Sequence, residues 1–228
     1  MLNAGFLIFL GSAIAYWRHW LSGAGAVAGG TVAALVFLGC GWAGISCLGL
    51  FFGLGVGATR FQFQRKERSG LAEKGKGRRG VGNVIGNGGI AAFVSFVLVW
   101  HNSLSGLPIV AGSLAAATSD TLSSELGNIY GKRFWDLRTF REGQKGMDGV
   151  ISLEGSLAGL AGAAAMGALL LAWGGEPRAA LIVVIAGLAG NVTDSFLGAF
   201  PERAGWLSNH AVNFISTACA ALLVFLLL

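Results

Sequence analysis

Residues 22–59, SGAGAVAGGTVAALVFLGCGWAGISCLGLFFGLGVGAT, form one apolar run without a charged side chain. The run is too long for a single crossing, because a helix needs only about 20 residues to span a bilayer. We therefore expect the chain to turn within GCGW, residues 39–42, and to make two crossings, 22–39 and 42–59. The direction of every later crossing depends on this turn.

The whole chain has the composition of an integral membrane protein. Of its 228 residues, 54% are hydrophobic and 12% are charged, which is too apolar for a soluble domain of this size. Six further apolar runs are candidate spans: 2–17, 83–100, 108–128, 149–173, 179–200 and 209–227. We predict an all-α polytopic membrane helix bundle of about eight transmembrane helices, with residues 1–228 forming a single membrane domain.

The basic residues lie on one side of this predicted topology. Four connecting segments, 18–21, 60–82, 129–148 and 201–208, hold 15 of the 16 Lys and Arg residues, and Arg178 lies on the other side. The positive-inside rule places these segments in the cytoplasm and both termini outside. The long basic loop 60–82 has two interpretations, a topogenic loop attracted to lipid headgroups or a mobile flap that meets phosphates.

Polar residues interrupt five of the predicted spans at a similar depth. Even-numbered spans begin, and odd-numbered spans end, at the cytoplasmic side. At a rise of 1.5 Å per residue, the expected depth is roughly 5 to 10 Å below that boundary for Asn87, Asp120, Glu154, Asp194 and Asn213. Polar groups that converge inside a membrane predict a functional site, here open to the cytoplasm. They include Asn83, Asn87, Asp120, Glu125, Glu154, Asn191, Asp194, Ser195, His210 and Asn213.

Two of these segments are alike. The stretches TSDTL, residues 118–122, and VTDSF, residues 192–196, share a hydroxyl, an Asp, a hydroxyl and a large apolar residue. We interpret the likeness as an internal repeat that relates helix pairs four–five and six–seven.

The residue types indicate chemistry with phosphates and a hard cation. Aspartates from two helices, with Glu and Asn nearby, provide the oxygen ligands that Mg²⁺ prefers. The stretch NVIGNGG, residues 83–89, predicts backbone N–H groups that approach an anion, and its alternative is glycine-mediated helix packing. His210 is interpreted as a base, a phosphate ligand or a packing residue. Glu154 is a pocket residue or a hydrogen-bonded structural carboxylate.

Five motifs carry a resemblance to a known family. They are NVIGNGGIAAF (83–93), GSLAAATSDTLSSELG (112–127), GMDGVISLEGSLAGLAG (146–162), GNVTDSFLGA (190–199) and NHAVNF (209–214). In this order they resemble the family called domain of unknown function 92, which includes a plant phytyl-phosphate kinase. The likeness runs from about residue 18 to the C-terminus.

The resemblance implies an isoprenoid-phosphate kinase. Such an enzyme transfers a phosphoryl group from a nucleoside triphosphate, CTP as the first donor to test, to a prenyl monophosphate such as phytyl or geranylgeranyl phosphate. It also implies Mg²⁺ as cofactor, membrane lipids and no nucleic acid as partners, and a prokaryotic plasma membrane or plastid-type membrane as location. An oligomer is compatible with it.

On this basis we assign expected roles to the candidate residues. Asp120, Glu125 and Asp194 hold Mg²⁺, and Asp120, Asp194 and His210 are the catalytic candidates. The phosphates are lined by Asn83, Asn87, Gly88 and Gly89, and the triphosphate is neutralised by Arg60, Arg78 and Arg79. The pocket is completed by Ser124, Glu154, Asn191, Ser195 and Asn213.

The main alternative is a membrane transporter or cation exchanger that uses the buried Asp cluster. Carriers also combine many spans with internal repeats and intramembrane acids. A carrier should show polar positions toward both faces of the membrane, whereas here they cluster near one face.

Overall fold

The computed structural model describes residues 2–72, 74–100 and 106–228, and these form a helical bundle with one small sheet. The elements in chain order are α1 (Leu2–Trp17), α2 (Gly23–Arg60), α3 (Phe63–Arg68), a 3₁₀ turn (Lys74–Gly77), α4 (Val81–Trp100), α5 (Gly106–Tyr130), β1 (Phe134–Asp136), β2 (Arg141–Glu142), β3 (Val150–Ser152), α6 (Leu153–Ala172), α7 (Pro177–Leu197), a π-helical turn (Gly198–Glu202) and α8 (Asn209–Leu227). The predicted all-α membrane bundle is confirmed.

Helix α2 is broken at Gly41, inside the GCGW stretch where the sequence predicts a turn. Gly41 has φ 59° and ψ −148°, a conformation that side chains disfavour and that glycine adopts readily. A Cβ atom on Gly44 would lie 2.8 Å from Cγ1 of Val36. Eight residues of a continuous helix span about 12 Å, so this contact requires the chain to fold back.

The two ends of α2 meet at one residue, Arg79. A Cβ atom on Gly25 would lie 2.7 Å from the Arg79 carbonyl oxygen, and one on Gly55 would lie 2.5 Å from its guanidinium group. In a straight helix these two glycines would be about 45 Å apart. We therefore describe α2 as a hairpin of a first arm, 23–40, and a second arm, 42–60, which confirms the predicted split.

Within the described residues, five helical segments are long and apolar enough to cross a membrane: Gly23–Arg60, Val81–Trp100, Leu153–Ala172, Pro177–Glu202 and Asn209–Leu227. Helix α1 is shorter but apolar. With the α2 hairpin counted as two arms, and with α1 and α5, the described part of the bundle has eight helical rods.

Helix α5 forms the centre of the bundle and packs against α2, α4, α6, α7 and α8. Its interior is built from small side chains, which allow close helix approach as in other membrane bundles. A Cβ atom on Gly190 of α7, for example, would lie 2.4 Å from the Cβ atom of Ala116. This packing leaves α5 buried on several sides and carries its polar C-terminal half into the interior.

The predicted basic loop 129–148 contributes to a small β-sheet that the sequence does not predict. Strands β1, β2 and β3 form an antiparallel sheet in the order β2-β1-β3, with Trp135 paired to Glu142 and to Ile151. The Arg203 guanidinium fixes the sheet by donating to Asp136 at 2.8 Å. Ser152 then caps α6, accepting from the Gly155 N–H at 3.1 Å.

Candidate functional site

Six of the helical rods contribute residues at or next to one of their ends to a common polar cavity of about 280 Å³. Its wall includes residues from the end or start of successive elements: Thr59 from α2, Asn83 from α4, Asn128 from α5, Ser152 before α6, Gly198 after α7 and Asn209 from α8. Alternating helices therefore expose polar termini at one face of the bundle, as the depth of the polar positions predicts.

The structure brings ten of the predicted site residues together in this polar cavity. They are Arg79, Asn83, Asn87, Asp120, Ser124, Glu125, Asn191, Asp194, Ser195 and Asn213. The roles of these residues stay predictions, but their placement on four helices and on the segment before α4, around one space, supports a shared function.

Two carboxyl groups face each other at the inner end of the polar cavity. Asp120 of α5 and Asp194 of α7 lie within hydrogen-bond reach of each other. The Ser216 hydroxyl donates to Oδ2 of Asp194 at 3.3 Å. Two ionised carboxylates in contact repel strongly, so this arrangement needs either a shared proton or a bound cation.

Two side-chain amides and one backbone carbonyl continue from this acid pair toward the start of α4. With its nitrogen toward α7, the Asn213 amide donates to Oδ2 of Asp194 at 3.0 Å and accepts from Nδ2 of Asn87 at 3.1 Å. Nδ2 of Asn87 also donates to the Asn83 carbonyl oxygen at 3.0 Å. Asn87 and Asn213 are both buried, so these hydrogen bonds fix α8 against α4 beside the acid pair.

Arg79 is the basic residue in the wall of the polar cavity, as far as the described residues show. Its backbone is fixed, because its N–H donates to the Trp20 carbonyl at 3.0 Å and its own carbonyl accepts from Ser22 at 2.9 Å. The guanidinium carbon lies 5.4 Å from the centre of the Phe51 ring. Arg79 is therefore a buried cation held just before α4, on the side of the cavity nearest α2.

Glu125 lines the polar cavity, but its carboxylate already has a cationic partner. Lys66 of α3 is 1% exposed and donates to Glu125, to the Ala58 carbonyl at 2.9 Å and to the Thr59 carbonyl at 2.8 Å. The predicted metal ligand Glu125 is thus engaged in a buried ion pair. The pair also fastens part of the basic loop 60–82 to α5.

Arg60 and Arg78, predicted to neutralise a triphosphate, lie outside the polar cavity wall. Arg60 donates to the Arg18 carbonyl at 2.9 Å, and Arg78 donates through Nε to the Leu21 carbonyl at 3.0 Å. Arg78 also lies 5.6 Å from the centre of the Tyr16 ring. Both side chains stabilise the connection between α1 and α2.

Gly88 and Gly89, predicted to line phosphates, face neighbouring helices in the structure. A Cβ atom on Gly88 would lie 3.2 Å from Cγ1 of Val32, and one on Gly89 would lie 3.2 Å from the Phe214 ring. These contacts match the alternative interpretation of NVIGNGG, in which glycines allow α4 to pack closely between α2 and α8.

His210 and Glu154 also lie outside the wall of the polar cavity. The His210 imidazole packs over Gly82, where a Cβ atom would lie 2.2 Å from the ring. Glu154 accepts from the Lys132 backbone N–H at 3.4 Å. The position of His210 therefore matches its interpretation as a packing residue. The hydrogen bond of Glu154 matches its interpretation as a structural carboxylate.

Sequence reasoning missed several residues of the polar cavity wall. Asn128 lies on the same stripe of α5 as Thr121 and Ser124, at helical spacings of seven and four residues, so extending that stripe would have found it. Glu202 lies in the π-helical turn after α7, where it interacts with Asp148 and Asn209. No periodic signal marks Glu202, because it lies in a connecting segment, whereas Asp148 lies at the start of GMDGVISLEGSLAGLAG, one of the five motifs that carry the family resemblance.

The donor set of the polar cavity fits Mg²⁺ better than a transition metal. In the part of the chain that the structure describes, no three His, Cys, Asp or Glu side chains are arranged to hold a metal ion. Mg²⁺ is commonly bound by one or two carboxylates while substrate phosphates and water supply the remaining ligands. Asp120 and Asp194 are placed to provide that pair.

Comparisons with known proteins place this architecture in a family. The family model described as Integral membrane protein DUF92 matches residues 6–221. The chain is 35% identical over 220 residues to Protein VTE6, chloroplastic, of Arabidopsis thaliana, covering 91% of this chain. It spans 65% of the length of that relative.

Two further relatives are uncharacterized membrane proteins. That of Methanocaldococcus jannaschii is 35% identical over 178 residues, covering 78% of this chain and 73% of the relative. That of Synechocystis is 32% identical over 196 residues, covering 82% and 74%. No solved structure matches the chain.

Proposed function

Because the chain belongs to the integral membrane protein family DUF92, we propose that it is a Mg²⁺-dependent prenyl-phosphate kinase. It transfers the terminal phosphoryl group of a nucleoside triphosphate, with CTP as the first donor to test, to a prenyl monophosphate such as phytyl or geranylgeranyl phosphate. The observation that carries this proposal is the pair of facing carboxyl groups, Asp120 and Asp194, in one polar cavity with Arg79.

The reaction has a simple balance of bonds. An oxygen of the prenyl monophosphate attacks the terminal phosphorus of the nucleoside triphosphate, and the bond from that phosphorus to the bridging oxygen breaks. The nucleoside diphosphate leaves with that oxygen, and the product is the prenyl diphosphate. A phosphate monoester has a second pKa of about 6, so it is already nucleophilic at neutral pH. A protein base is therefore unnecessary, in agreement with a cavity wall that lacks His210.

Phosphoryl transfer depends mainly on positioning and charge neutralisation. Asp120 and Asp194 would hold Mg²⁺, which neutralises phosphate charge when bound. The Arg79 guanidinium is placed to pair with phosphate oxygens. Asn87 and Asn213, which hydrogen-bond to each other, keep the Asp194 carboxylate oriented.

We propose that the polar cavity opens to the cytoplasm, which is where nucleotides are available. Support comes from the basic segments that hold 15 of the 16 Lys and Arg residues. Leu71, Gly146 and Glu202 line the polar cavity, and each belongs to one of those segments. The cavity and the basic segments therefore share one face of the bundle.

The proposal is tested with purified protein in detergent, labelled CTP or ATP, Mg²⁺, and phytyl or geranylgeranyl monophosphate. We expect a labelled prenyl diphosphate that requires Mg²⁺ and the monophosphate acceptor. Protein reconstituted in liposomes supplies the second arm. Absence of transfer with every donor, together with cation flux through the liposomes, would reject the kinase and favour an exchanger.

A further inference from the structure

A second, apolar cavity of about 270 Å³ lies between α1, both arms of α2 and the start of α4. Its wall is almost entirely hydrocarbon and includes Leu7, Gly11, Val32, Trp42, Gly49 and Phe52. The proposed kinase reaction uses none of these side chains. Cavities with a predominantly apolar wall typically bind an apolar ligand or part of one.

Glycines keep this apolar cavity open. A Cβ atom on Gly11 of α1, or on Gly49 in the second arm of α2, would meet no atom within 4 Å. Both positions lie within helices, where alanine or a larger residue has the better helix propensity. The two walls are thus free of side chains at points where side chains would fit.

The apolar cavity is continuous with the polar cavity. Arg79 and Asn83 line both. The Arg79 guanidinium lies over the Phe51 ring at 5.4 Å and against Gly55, so the cation sits where hydrocarbon wall gives way to polar wall. A single molecule with an anionic head and an apolar tail would fit both spaces, with its phosphate near Arg79.

The second arm of α2 gives the distance from Arg79 to the far end of the apolar cavity. From Gly55, beside Arg79, to Trp42, near the hairpin turn, the helix rises about 20 Å at 1.5 Å per residue. The Trp42 ring packs edge-on against Phe37, with ring centres 5.2 Å apart. Trp42 therefore lies at the end of the apolar cavity that is remote from Arg79.

We propose that the apolar cavity binds the prenyl chain of the acceptor and that Trp42 limits the length of chain it holds; this extends the proposed kinase function to a defined tail site. The occupant is a single-chain prenyl monophosphate, since one tail space adjoins one cationic boundary at Arg79. Burial of the chain gains roughly 0.8 kcal/mol per CH₂ transferred from water, but little when the chain comes from lipid. Selectivity then comes from cavity length and from the phosphate contact.

Photolabelling tests the tail site without nucleotide. The probe is geranylgeranyl monophosphate with a diazirine at the chain end remote from the phosphate, and adducts are mapped by mass spectrometry. We expect adducts in the peptides that contain Leu7 or Trp42, suppressed by unlabelled geranylgeranyl monophosphate and less by geranylgeraniol. Adducts spread over the outer surfaces of α5 to α8, or suppressed only by membrane phospholipid, would overturn the proposal.

Filling the apolar cavity gives the variant test. Gly49→Phe should reduce labelling about tenfold or more, whereas Gly53→Phe should leave it unchanged. Gly53 is on the same arm, also has open space around a Cβ atom, and is not in the cavity wall. Gly11→Phe fills the cavity from the opposite wall if Gly49→Phe does not fold. Normal labelling in a folded cavity-filling variant would contradict the proposal.

Measuring phosphoryl transfer to acceptors of different chain length distinguishes failure of the tail site from failure of the proposed kinase function. If the kinase is active, Gly49→Phe should lose transfer to geranylgeranyl monophosphate and retain transfer to the short dimethylallyl monophosphate. Equal loss with both acceptors would reject the tail site but not the kinase. Correct labelling without transfer from any nucleotide would reject the kinase and leave a prenyl-phosphate-binding site.

Discussion

The buried pair of Lys66 and Glu125 gives the most quantitative prediction. Replacing Lys66 by Met should destabilise the protein by about 3 to 5 kcal/mol, the usual cost of removing one partner of a buried ion pair. Lys66 is 1% exposed and donates to Glu125, Ala58 and Thr59. Methionine preserves an unbranched side chain but leaves a buried carboxylate and two carbonyl oxygens without this donor.

Thermal unfolding of the purified protein in detergent measures the loss. For a chain of this size it corresponds to a fall in Tm on the order of 10 °C. The matched control is Arg68→Met, which removes a cation from an exposed position of the same short helix. An exposed substitution of this kind should change stability by no more than about 0.5 kcal/mol.

A double variant tests the cause of the loss. Lys66→Met combined with Glu125→Leu removes both charges, so no unpaired carboxylate remains. We expect the double variant to be more stable than Lys66→Met alone. The reasoning is refuted if Lys66→Met behaves like the exposed control, or if the second substitution only adds to the damage.

Three further predictions follow from other contacts. Gly39→Ala should cost about 1 to 3 kcal/mol in thermal unfolding, because its Cβ atom would lie 2.2 Å from the Ser95 carbonyl oxygen. Hydrogen bonds from Arg203 and the backbone lower the pKa of Asp136. The ionised Asp136 carboxylate therefore stabilises the fold above about pH 4, the ordinary Asp pKa. This stabilisation is lost as the pH falls through the lowered pKa. Asp136→Asn should therefore lower Tm more at pH 7 than at pH 3. Arg79→Gln should raise the KM for phosphate substrates about tenfold or more, the cost of one charge-assisted hydrogen bond.

Matched controls and contrary outcomes exist for each. Gly53→Ala has open space around its Cβ atom and should be neutral, so an equal loss at Gly39 and Gly53 would contradict the packing argument. A Tm difference for Asp136→Asn that does not shrink in acid would remove the role of the carboxylate charge. Arg78→Gln should leave KM unchanged, and a KM effect as large as that of Arg79→Gln would contradict the assignment.

The topology could be predicted because the length needed for one membrane crossing and the positive-inside rule both apply to long stretches of sequence. The apolar run 22–59 exceeds one crossing by so much that a turn is required, and glycine at position 41 permits the backbone conformation of the break. The small sheet could not be predicted. Strands β1 to β3 contain two or three residues each, which is too short for an alternating pattern to be recognised.

The sequence predicts the depth of each polar residue in the membrane, and the site could be predicted to the extent that residues at equal depth lie close together. Asp120 and Asp194 come together because their helices run parallel and carry the acid at the same level. The depth of a residue does not determine where its side chain points, however. Arg60 and Arg78 lie near the correct boundary but bond to backbone carbonyls, and only the tertiary fold shows that Lys66 turns inward to Glu125.

The claim most central to this account is that Asp120 and Asp194 together support phosphoryl transfer. The most direct measurement compares wild type and Asp120→Ala in the transfer of label from CTP or ATP to geranylgeranyl monophosphate, over a titration of Mg²⁺. We predict that transfer by Asp120→Ala falls by about 100-fold or more, while its Tm is retained because the substitution removes repulsion within the acid pair. Near-normal turnover by folded Asp120→Ala would contradict the account.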